Sequence, residues 1–460
     1  MAEYLIQDTT LTGIADAIRG KTGETGAIPV PDMASKIDGI QTGGGSAGGV
    51  SPKAVNFYDY DGTVLHAYSK EEFLALTEMP PLPEREGLIC QEWNWSFEDM
   101  QDYTSQYGVC NAGATYTTDD GTTRIYITLQ EGRTSPMLGL AVKGTVTVDW
   151  GDGTTPDVLT GTSTSTVKRT PNHEYATPGD YVIRLTVDGT VALKYSSSGS
   201  GLLTAVSTDS DKVNYAYRNA IDKIEFGAGV TALDNYSLCK CYSLASVVIP
   251  NGTTSIGSDT FNGCYSLVSV VMPNGVTSIK YATFIDCYSL VSVVMPNGVT
   301  GIVDQAFSNC HSLASVVISN GTTSIGSNAF YNCYSLASVV IPNGTTSISP
   351  SAFYNCYSLA SVVIPNGVTS IMAAAFSNCY SIAVVVISNG TTSIGSNAFK
   401  NCYSVAVYDF TSCTAAPTLE YTDAFSNIPT DCQIRVPAAL YDEWIAATNW
   451  STYASQIVGV

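Results

Sequence analysis

The feature that most constrains this chain of 460 residues is a repeat of 23 residues. Cysteine recurs at this interval without slippage at Cys241, Cys264, Cys287, Cys310, Cys333, Cys356, Cys379 and Cys402. The unit reads C-Y-S-L-A-S-V-V-I-P-N-G-T-T-S-I-G-S-N-A-F-x-N. A fixed period of this length predicts a solenoid, because one unit cannot bury its own apolar side chains and must stack on its neighbours.

Each unit has the apolar positions that such a coil needs. In the unit that begins at Cys241, the side chains expected to point inward are Leu244, Val247, Ile249, Ile256 and Phe261. The Asn251-Gly252 step predicts a turn with a positive φ at the glycine. The ending CQIRVPAALYDEWIAATNW is typical of a last strand followed by a capping helix, which a terminal repeat requires.

The unit resembles the BspA-type leucine-rich repeat. The L-x-x-L-x-L frame, the glycine, the phenylalanine and the cysteine all fall in place over nearly half of the chain, from about residue 224 to about residue 432. Such repeats occur in bacterial surface proteins, some protists and phage tail proteins. The resemblance implies a binding scaffold and no catalytic function.

The sequence predicts a mainly β fold with six segments. A leucine-rich-repeat solenoid follows an immunoglobulin-like β-sandwich, and a small helical segment begins the chain. The predicted segments are a helical anchor at 1–42, a Gly-rich linker at 43–50, a small mixed α/β region at 51–135, a sandwich at 136–198, the solenoid at 199–432 and a C-terminal cap at 433–460.

The predicted sandwich rests on two motifs. The stretches VTVDWGDGTTP and HEYATPGDYVIRLTV together resemble the polycystic-kidney-disease (PKD) domain. The resemblance implies an immunoglobulin-like sandwich. It gives structural roles to Trp150, Asp152, Gly153, Tyr175 and Tyr181. Asp149 and Asp152 lie in one tight turn, and calcium binding is an alternative to a purely conformational role there.

The eight repeat cysteines are expected to be buried free thiols that act as small hydrophobic residues. Disulfides between neighbouring coils are an alternative, since stacking brings sulfurs close together. Metal binding is disfavoured, because thiolate sites need close pairs such as C-x-x-C. We therefore expect no metal and no cofactor.

Two further columns are candidate binding surfaces. An aromatic ladder comprises Tyr242, Tyr265, Tyr288, His311, Tyr334, Tyr357, Tyr380 and Tyr403. It could bind glycan or protein, or it could simply cover the coil edge. An apolar column comprises Val248, Val271, Val294, Val317, Val340, Val363 and Val386. These valines are expected to face outward, either as an oligomer contact or under another domain.

Charge and composition exclude several classes of function. The net charge is −20, which disfavours nucleic acid and anionic lipid as partners. No apolar run is long enough to cross a membrane.

FYDYDGTVL resembles the opening of haloacid-dehalogenase phosphatases, but the rest of that pattern is missing, and a hairpin turn explains it better. We expect no enzymatic activity. A wall- or capsule-degrading enzyme is the least favoured reading, with Asp149 and Asp152 as the acids to test.

The N-terminal stretch TLTGIADAIRGKTGETGAIPVPDMASKIDGIQTGGG resembles the opening of tail and fibre proteins of phages that infect Gram-positive bacteria. The resemblance implies a phage tail protein that is made in the host cytoplasm and resides in the virion. Its anchor would bind other tail or baseplate proteins, and its repeats would adhere to glycan or protein on the bacterial surface. A homotrimer is an open possibility. The alternative is a bacterial cell-surface adhesin, which the repeat favours but for which we expect an export signal that MAEYLIQDTT does not provide.

Overall fold

The computed structural model describes residues 53–162, 167–194, 202–205, 217 and 219–460. The chain divides into two compact units, Met1–Ser51 and Pro52–Val460, and every described residue belongs to the second unit. The predicted helical anchor at 1–42 and the linker at 43–50 lie outside the described residues.

The first described part, residues 53–118, is a small α/β domain that we call the docking domain. Its four-stranded sheet has the order β2-β1-β4-β3. The elements are β1 Val55–Tyr58, β2 Val64–Tyr68, α1 Lys70–Leu74, β3 Leu88–Trp93, α2 Phe97–Tyr107 and β4 Cys110–Thr118. Helix α1 begins with a capping box in which the Ser69 side chain accepts a hydrogen bond from the Glu72 amide. Helix α2 ends at Gly108, which has a left-handed conformation.

A second, larger sheet leads directly into the repeats. Its strand order is β14-β12-β5-β10-β13-β15, where β14 (Ser246–Val248) and β15 (Ser255–Ile256) belong to the repeats, and β7 pairs with β8, β9 and β10. The strands up to the first coil are β5 Thr123–Leu129, β6 Pro136–Leu138, β7 Leu140–Asp149, β8 Asp157–Thr160, β9 Val167–Arg169, β10 Gly179–Leu193, β11 Leu203–Ala205, β12 Ile221–Glu225 and β13 Val230–Leu233. This sheet includes strands on both sides of residues 135/136 and 198/199. The division of the chain at those points remains a prediction.

The solenoid has two parallel ladders, each with one short strand per coil. Ladder A comprises β14 Ser246–Val248, β16 Ser269–Val271, β18 Ser292–Val294, β20 Ser315–Val317, β22 Ser338–Val340, β24 Ser361–Ile364, β26 Val384–Ile387, β28 Val407–Asp409, β30 Gln433–Val436 and β31 Ile457–Gly459. Ladder B comprises β15 Ser255–Ile256, β17 Ser278–Ile279, β19 Gly301–Ile302, β21 Ser324–Ile325, β23 Ser347–Ile348, β25 Ser370–Ile371, β27 Ser393–Ile394 and β29 Thr418–Leu419.

Equivalent residues of successive coils pair with each other. Val293 is in register with Val316, and Ile302 with Ile325. The phenylalanines therefore form a column inside the solenoid, with neighbouring ring centroids 5.1–5.4 Å apart from Phe261 to Phe399. The core of the second sheet and the core of the coils form one continuous hydrophobic cluster. Stacking thus buries the apolar set that a single unit would leave in water.

Both ends of the solenoid are covered. At the beginning, β12 pairs with β5 and β13 pairs with β10, so the second sheet occupies the open edges of the first coil. At the other end, α3 (Tyr441–Ala446) and two short 3₁₀ helices follow β30. The buried rings of Trp444 and Trp450 pack against Phe410 at centroid distances of 4.9 and 5.5 Å.

The predicted fold class is confirmed, with a solenoid of 23-residue repeats after a strand-rich region. The Asn251-Gly252 step forms the expected turn, in which the Thr253 amide donates to Pro250 O at 2.9 Å, but the expected positive φ is wrong, because Gly252 is not among the glycines with positive φ. Close approach between coils requires glycine at two later Asn-Gly steps, Gly367 and Gly390. A Cβ at Gly390 would overlap the carbonyl oxygen of Asn366 in the preceding coil.

Candidate functional site on the solenoid surface

The docking domain covers the beginning of the outward apolar column. Val248, Val271, Val294 and Val317 are each at most 8% exposed, because the docking domain packs on them. Tyr58 and Val64 of its hairpin contact Val271 and Val294. These four valines are covered by another part of the chain, which is one of the two roles that the sequence left open for this column.

Buried polar side chains of the docking domain bind main-chain carbonyls of the coils. The Asn94 amide donates to the carbonyl oxygens of Met272 and Val294, both at 3.1 Å. Trp95 Nε1 donates to Met295 O at 2.7 Å, and the Tyr103 hydroxyl donates to Ile318 O at 2.8 Å. These contacts satisfy side chains that would otherwise be buried without partners. Sequence reasoning missed these residues, although the WNW stretch at 93–95 was a signal for a buried aromatic contact.

The column emerges from this cover at the fifth coil. Tyr107, at the end of α2, accepts a hydrogen bond from the amide of Asn343 at 3.1 Å. Val340 is half-buried beside it, and Val363 in the next coil is 57% exposed. The predicted interface column is therefore partly open to solvent at Val340 and Val386 and most exposed at Val363.

The predicted aromatic ladder forms a continuous stack. From Tyr242 to Tyr403, successive ring centroids lie 4.5–5.3 Å apart, and His311 occupies its place in the stack. Each ring face within the stack is thereby covered by the next ring. A sugar that stacks on an aromatic face finds such a face only at an end of the ladder, and elsewhere the ladder offers ring edges and hydroxyls. Ligand binding by these residues remains a prediction.

The middle coils of this ladder have no charged side chains. From Gln305 to Phe399 the sequence contains no Asp, Glu, Lys or Arg, and we call this stretch the uncharged segment. Its exposed positions include the threonines Thr323, Thr346, Thr369 and Thr392. The hydroxyl of each donates to the main-chain oxygen of the equivalent residue one coil earlier. The surface is neutral and rich in hydrogen-bonding groups.

A second ladder of polar side chains holds the coils together. Asn309, Asn332, Asn355, Asn378 and Asn401 have φ of 58–62°. The side-chain amide of each donates to the equivalent side chain of the preceding coil at 2.7–2.8 Å, and Asp286 is the first acceptor. We call this row the Asn ladder. Asparagine before each repeat cysteine from Cys310 to Cys402 was its signal in the sequence, because asparagine tolerates left-handed backbone better than most residues.

None of the thirteen cysteines, all of which the structure describes, forms a disulfide bond. From Cys264 to Cys402, each repeat thiol donates to a main-chain oxygen 26 residues earlier, as Cys333 does to Phe307 O at 3.2 Å. Burial raises the pKa of these thiols, well above the usual value at Cys264, Cys310 and Cys356. They are protonated at neutral pH and serve as small packing groups.

The WGDG turn is held by its own contacts. Trp150 is buried, its Nε1 donates to Asp157 at 2.9 Å, and the Tyr175 hydroxyl donates to Trp150 O at 2.7 Å. Asp152 accepts from the Thr154 hydroxyl at 2.6 Å and contacts His173 Nε2 at 2.7 Å. Burial opposes ionisation of Asp152, but these hydrogen bonds outweigh it and lower its pKa to about 2.

The remaining members of the two predicted motifs also have structural contacts. Gly153 has a φ of 82°, and the Tyr175 and Tyr181 rings lie 4.2 Å apart. Asp149 accepts from the Gly151 amide at 2.9 Å. In FYDYDGTVL, Asp59 is buried and pairs with Arg85 at 2.5 Å, while Asp61 accepts from the Thr63 amide at 2.9 Å. That motif is the turn of the β1–β2 hairpin.

The described residues form neither a metal-ligand cluster nor a membrane-spanning helix. They contain no group of three or more His, Cys, Asp or Glu side chains placed to hold a metal ion. Within the same part of the chain, no helix is long and apolar enough to cross a membrane.

The repeats define a class of protein scaffold, the leucine-rich-repeat solenoid. Residues 213–314 and 277–406 match the family model described as the BspA type leucine-rich repeat region, which has six copies here. The repeats of this chain are thus BspA-type leucine-rich repeats. No curated protein matches the chain in sequence.

Several solved structures are similar to this chain. A leucine-rich repeat protein of T. pallidum is 28% identical, with 46% of this chain and 91% of that chain covered and a TM-score of 0.32. A leucine-rich cell surface protein of Faecalibacterium prausnitzii is 23% identical, with coverages of 55% and 86% and a TM-score of 0.31. A leucine-rich-repeat protein of Bacteroides ovatus is 16% identical, with coverages of 56% and 97% and a TM-score of 0.30.

Proposed function

We propose that this chain is an adhesin-like repeat protein that acts at a bacterial surface and binds its partner through the uncharged segment and the aromatic ladder. The observation that carries the proposal is the run of BspA-type repeats, whose middle coils expose neutral hydrogen-bonding groups at a constant spacing. The resemblance implies a binding scaffold in a family that includes bacterial surface proteins.

The chemistry of this surface selects the partner. A charged ligand would lose hydration on this surface without gaining a counter-charge, so binding favours an uncharged, hydrogen-bonding surface such as a glycan or the neutral part of a surface protein. Each coil contributes one weak contact of the same kind. Several such contacts add up when the partner also presents a repeating structure.

The test is binding of the labelled full chain to bacterial cells and purified cell walls at low and high salt. We expect binding that changes little with ionic strength, because no ion pairs form. Replacing Tyr334 and Tyr403 together by Phe keeps the rings and removes two hydroxyls of the ladder, and we expect it to weaken binding several-fold. Tyr421→Phe is the control, because Tyr421 is exposed and lies outside both the aromatic ladder and the uncharged segment. Absence of binding, or loss of binding at high salt, refutes the proposal.

The location on a phage tail is the second candidate, and it rests on the resemblance of residues 1–42. Immunogold electron microscopy with an antibody against residues 224–460 separates the two locations. Gold on cell envelopes without phage particles supports the surface adhesin. Gold on phage tails overturns that location and favours a tail protein that adheres to the host through the same repeats.

A further inference from the structure

The face of ladder A has an uncovered continuation beyond the docking domain. Ser361 and Val363 lie in register with Val384 and Val386 of the next coil. Val363 is 57% exposed and Val384 is 38% exposed. We call these four residues the distal face. Asp409 and Arg435 follow on the next coils of the ladder and bound it on the far side.

The distal face continues an interface that the chain already makes with itself. Four coils earlier, the same column of valines is covered by the docking domain and loses nearly all contact with water. The side chains of the distal face differ little from those under the docking domain, where the column also alternates with serines such as Ser269 and Ser292. The distal face therefore has the same small side chains as the surface under the docking domain, and burial against another surface stabilises it in the same way.

The distribution of charge on the chain indicates what covers the distal face. The chain has a net charge of −20, so two copies repel each other over most of their surface. The distal face lies in the uncharged segment, where two copies can approach without placing like charges opposite each other. A two-fold pairing also presents the same apolar patch from both sides. We infer that the distal face is a self-association surface, where a second copy of this chain packs Val363 and Val384 against its own.

The proposal is independent of adhesion and is tested on the full chain by sedimentation velocity over a wide range of concentration. We expect a dimer that dissociates on dilution. Added salt should strengthen it, because salt screens the repulsion between two highly negative copies and does not weaken apolar contacts. A dimer held by ion pairs would show the opposite response, and that result would overturn the proposal.

Two variants of equal charge locate the surface. Val363→Asp places a carboxylate in the middle of the distal face, and we expect at least a tenfold weaker dimer. Thr346→Asp adds the same charge at an exposed position in the Thr column, outside the distal face, and we expect the dimer to persist. Thermal unfolding of both variants verifies that they are folded, and Val363→Ser is the substitute if Val363→Asp is not. A wild-type monomer at all concentrations, or equal dimerisation of the Val363 and Thr346 variants, refutes the inference.

Discussion

Asn355 combines two constraints that are normally met by different residues. Its backbone has a φ of 61°, and its side chain both donates to Asn332 and accepts from Asn378. Alanine at this position is destabilised by the left-handed backbone. It also removes the donor to the Asn332 side chain and the acceptor for the Asn378 side chain. Glycine removes the same hydrogen bonds but adopts the backbone conformation freely.

We therefore expect Asn355→Ala to lower the free energy of unfolding by about 2–3 kcal/mol and Asn355→Gly by about 1 kcal/mol. Denaturant unfolding of the full chain, followed by circular dichroism, measures both. Equal losses for the two variants would mean that backbone conformation contributes nothing and that the amide ladder alone accounts for the asparagine.

The repeat thiols make a second prediction at this scale. Because burial raises their pKa above the usual value, they are protonated at pH 8 and only deprotonate after unfolding. We expect Cys333, Cys356 and Cys379 to resist alkylation in the native chain at pH 8. All should react in guanidinium, as mass spectrometry of chymotryptic peptides would reveal, because Phe and Tyr residues separate these cysteines. The labelling rate of the partly exposed Cys90, whose pKa burial raises to about 11, is the internal reference with which the rates of the repeat thiols are compared. Rapid native labelling of Cys333 would contradict this placement.

At the scale of elements, the contact between β4 and ladder A depends on a glycine, because a larger residue would not fit there. A Cβ at Gly113 would lie 2.6 Å from Val271 Cγ1 and 2.7 Å from Cγ2. We expect Gly113→Ala to destabilise this contact by about 1–3 kcal/mol through overpacking. Faster hydrogen exchange in β14, β16 and β18 would report it.

The double variant provides the control for this prediction. Val271→Ala removes both methyl groups that the new Cβ would meet, so Gly113→Ala with Val271→Ala should recover part of the protection that Gly113→Ala loses. If the two substitutions simply add, the site is not coupled and the packing of β4 on Val271 is not as described.

The elements also show how far sequence reasoning extends. The coils follow from the 23-residue period, because inward apolar side chains recur at the same positions and leave one way to stack. The cover over Val248–Val317 does not follow, since Asn94 and Trp95 lie about 180–200 residues from the carbonyls that they bind. The local sequence around a column of valines does not indicate whether another part of the chain or a partner covers it. The Asn-Gly turn is present, but its positive φ was predicted wrongly, because from Cys310 to Cys402 the asparagine before each repeat cysteine has the left-handed conformation instead.

At the scale of the whole molecule, the solenoid has a graded stability, because each coil beyond the docking domain contacts only its neighbours. Trp450 is fully buried at the C-terminal end, and its Nε1 donates to Pro417 O at 2.7 Å. We expect Trp450→Ala to cost about 3–5 kcal/mol locally. Hydrogen exchange should increase strongly in β28 and β30 and fall towards the wild-type rate in β20. A uniform increase across all coils would mean that the solenoid unfolds as one cooperative unit.

The Asn ladder runs in a single direction. Every amide donates towards the beginning of the chain, and the row starts at the carboxylate of Asp286. Any interior coil presents the same donor on one side and the same acceptor on the other, so a coil can be inserted or deleted and all bonds form again. Gene duplication can therefore lengthen or shorten this protein in steps of one coil, and the reach of its outer end is adjustable while both caps stay unchanged.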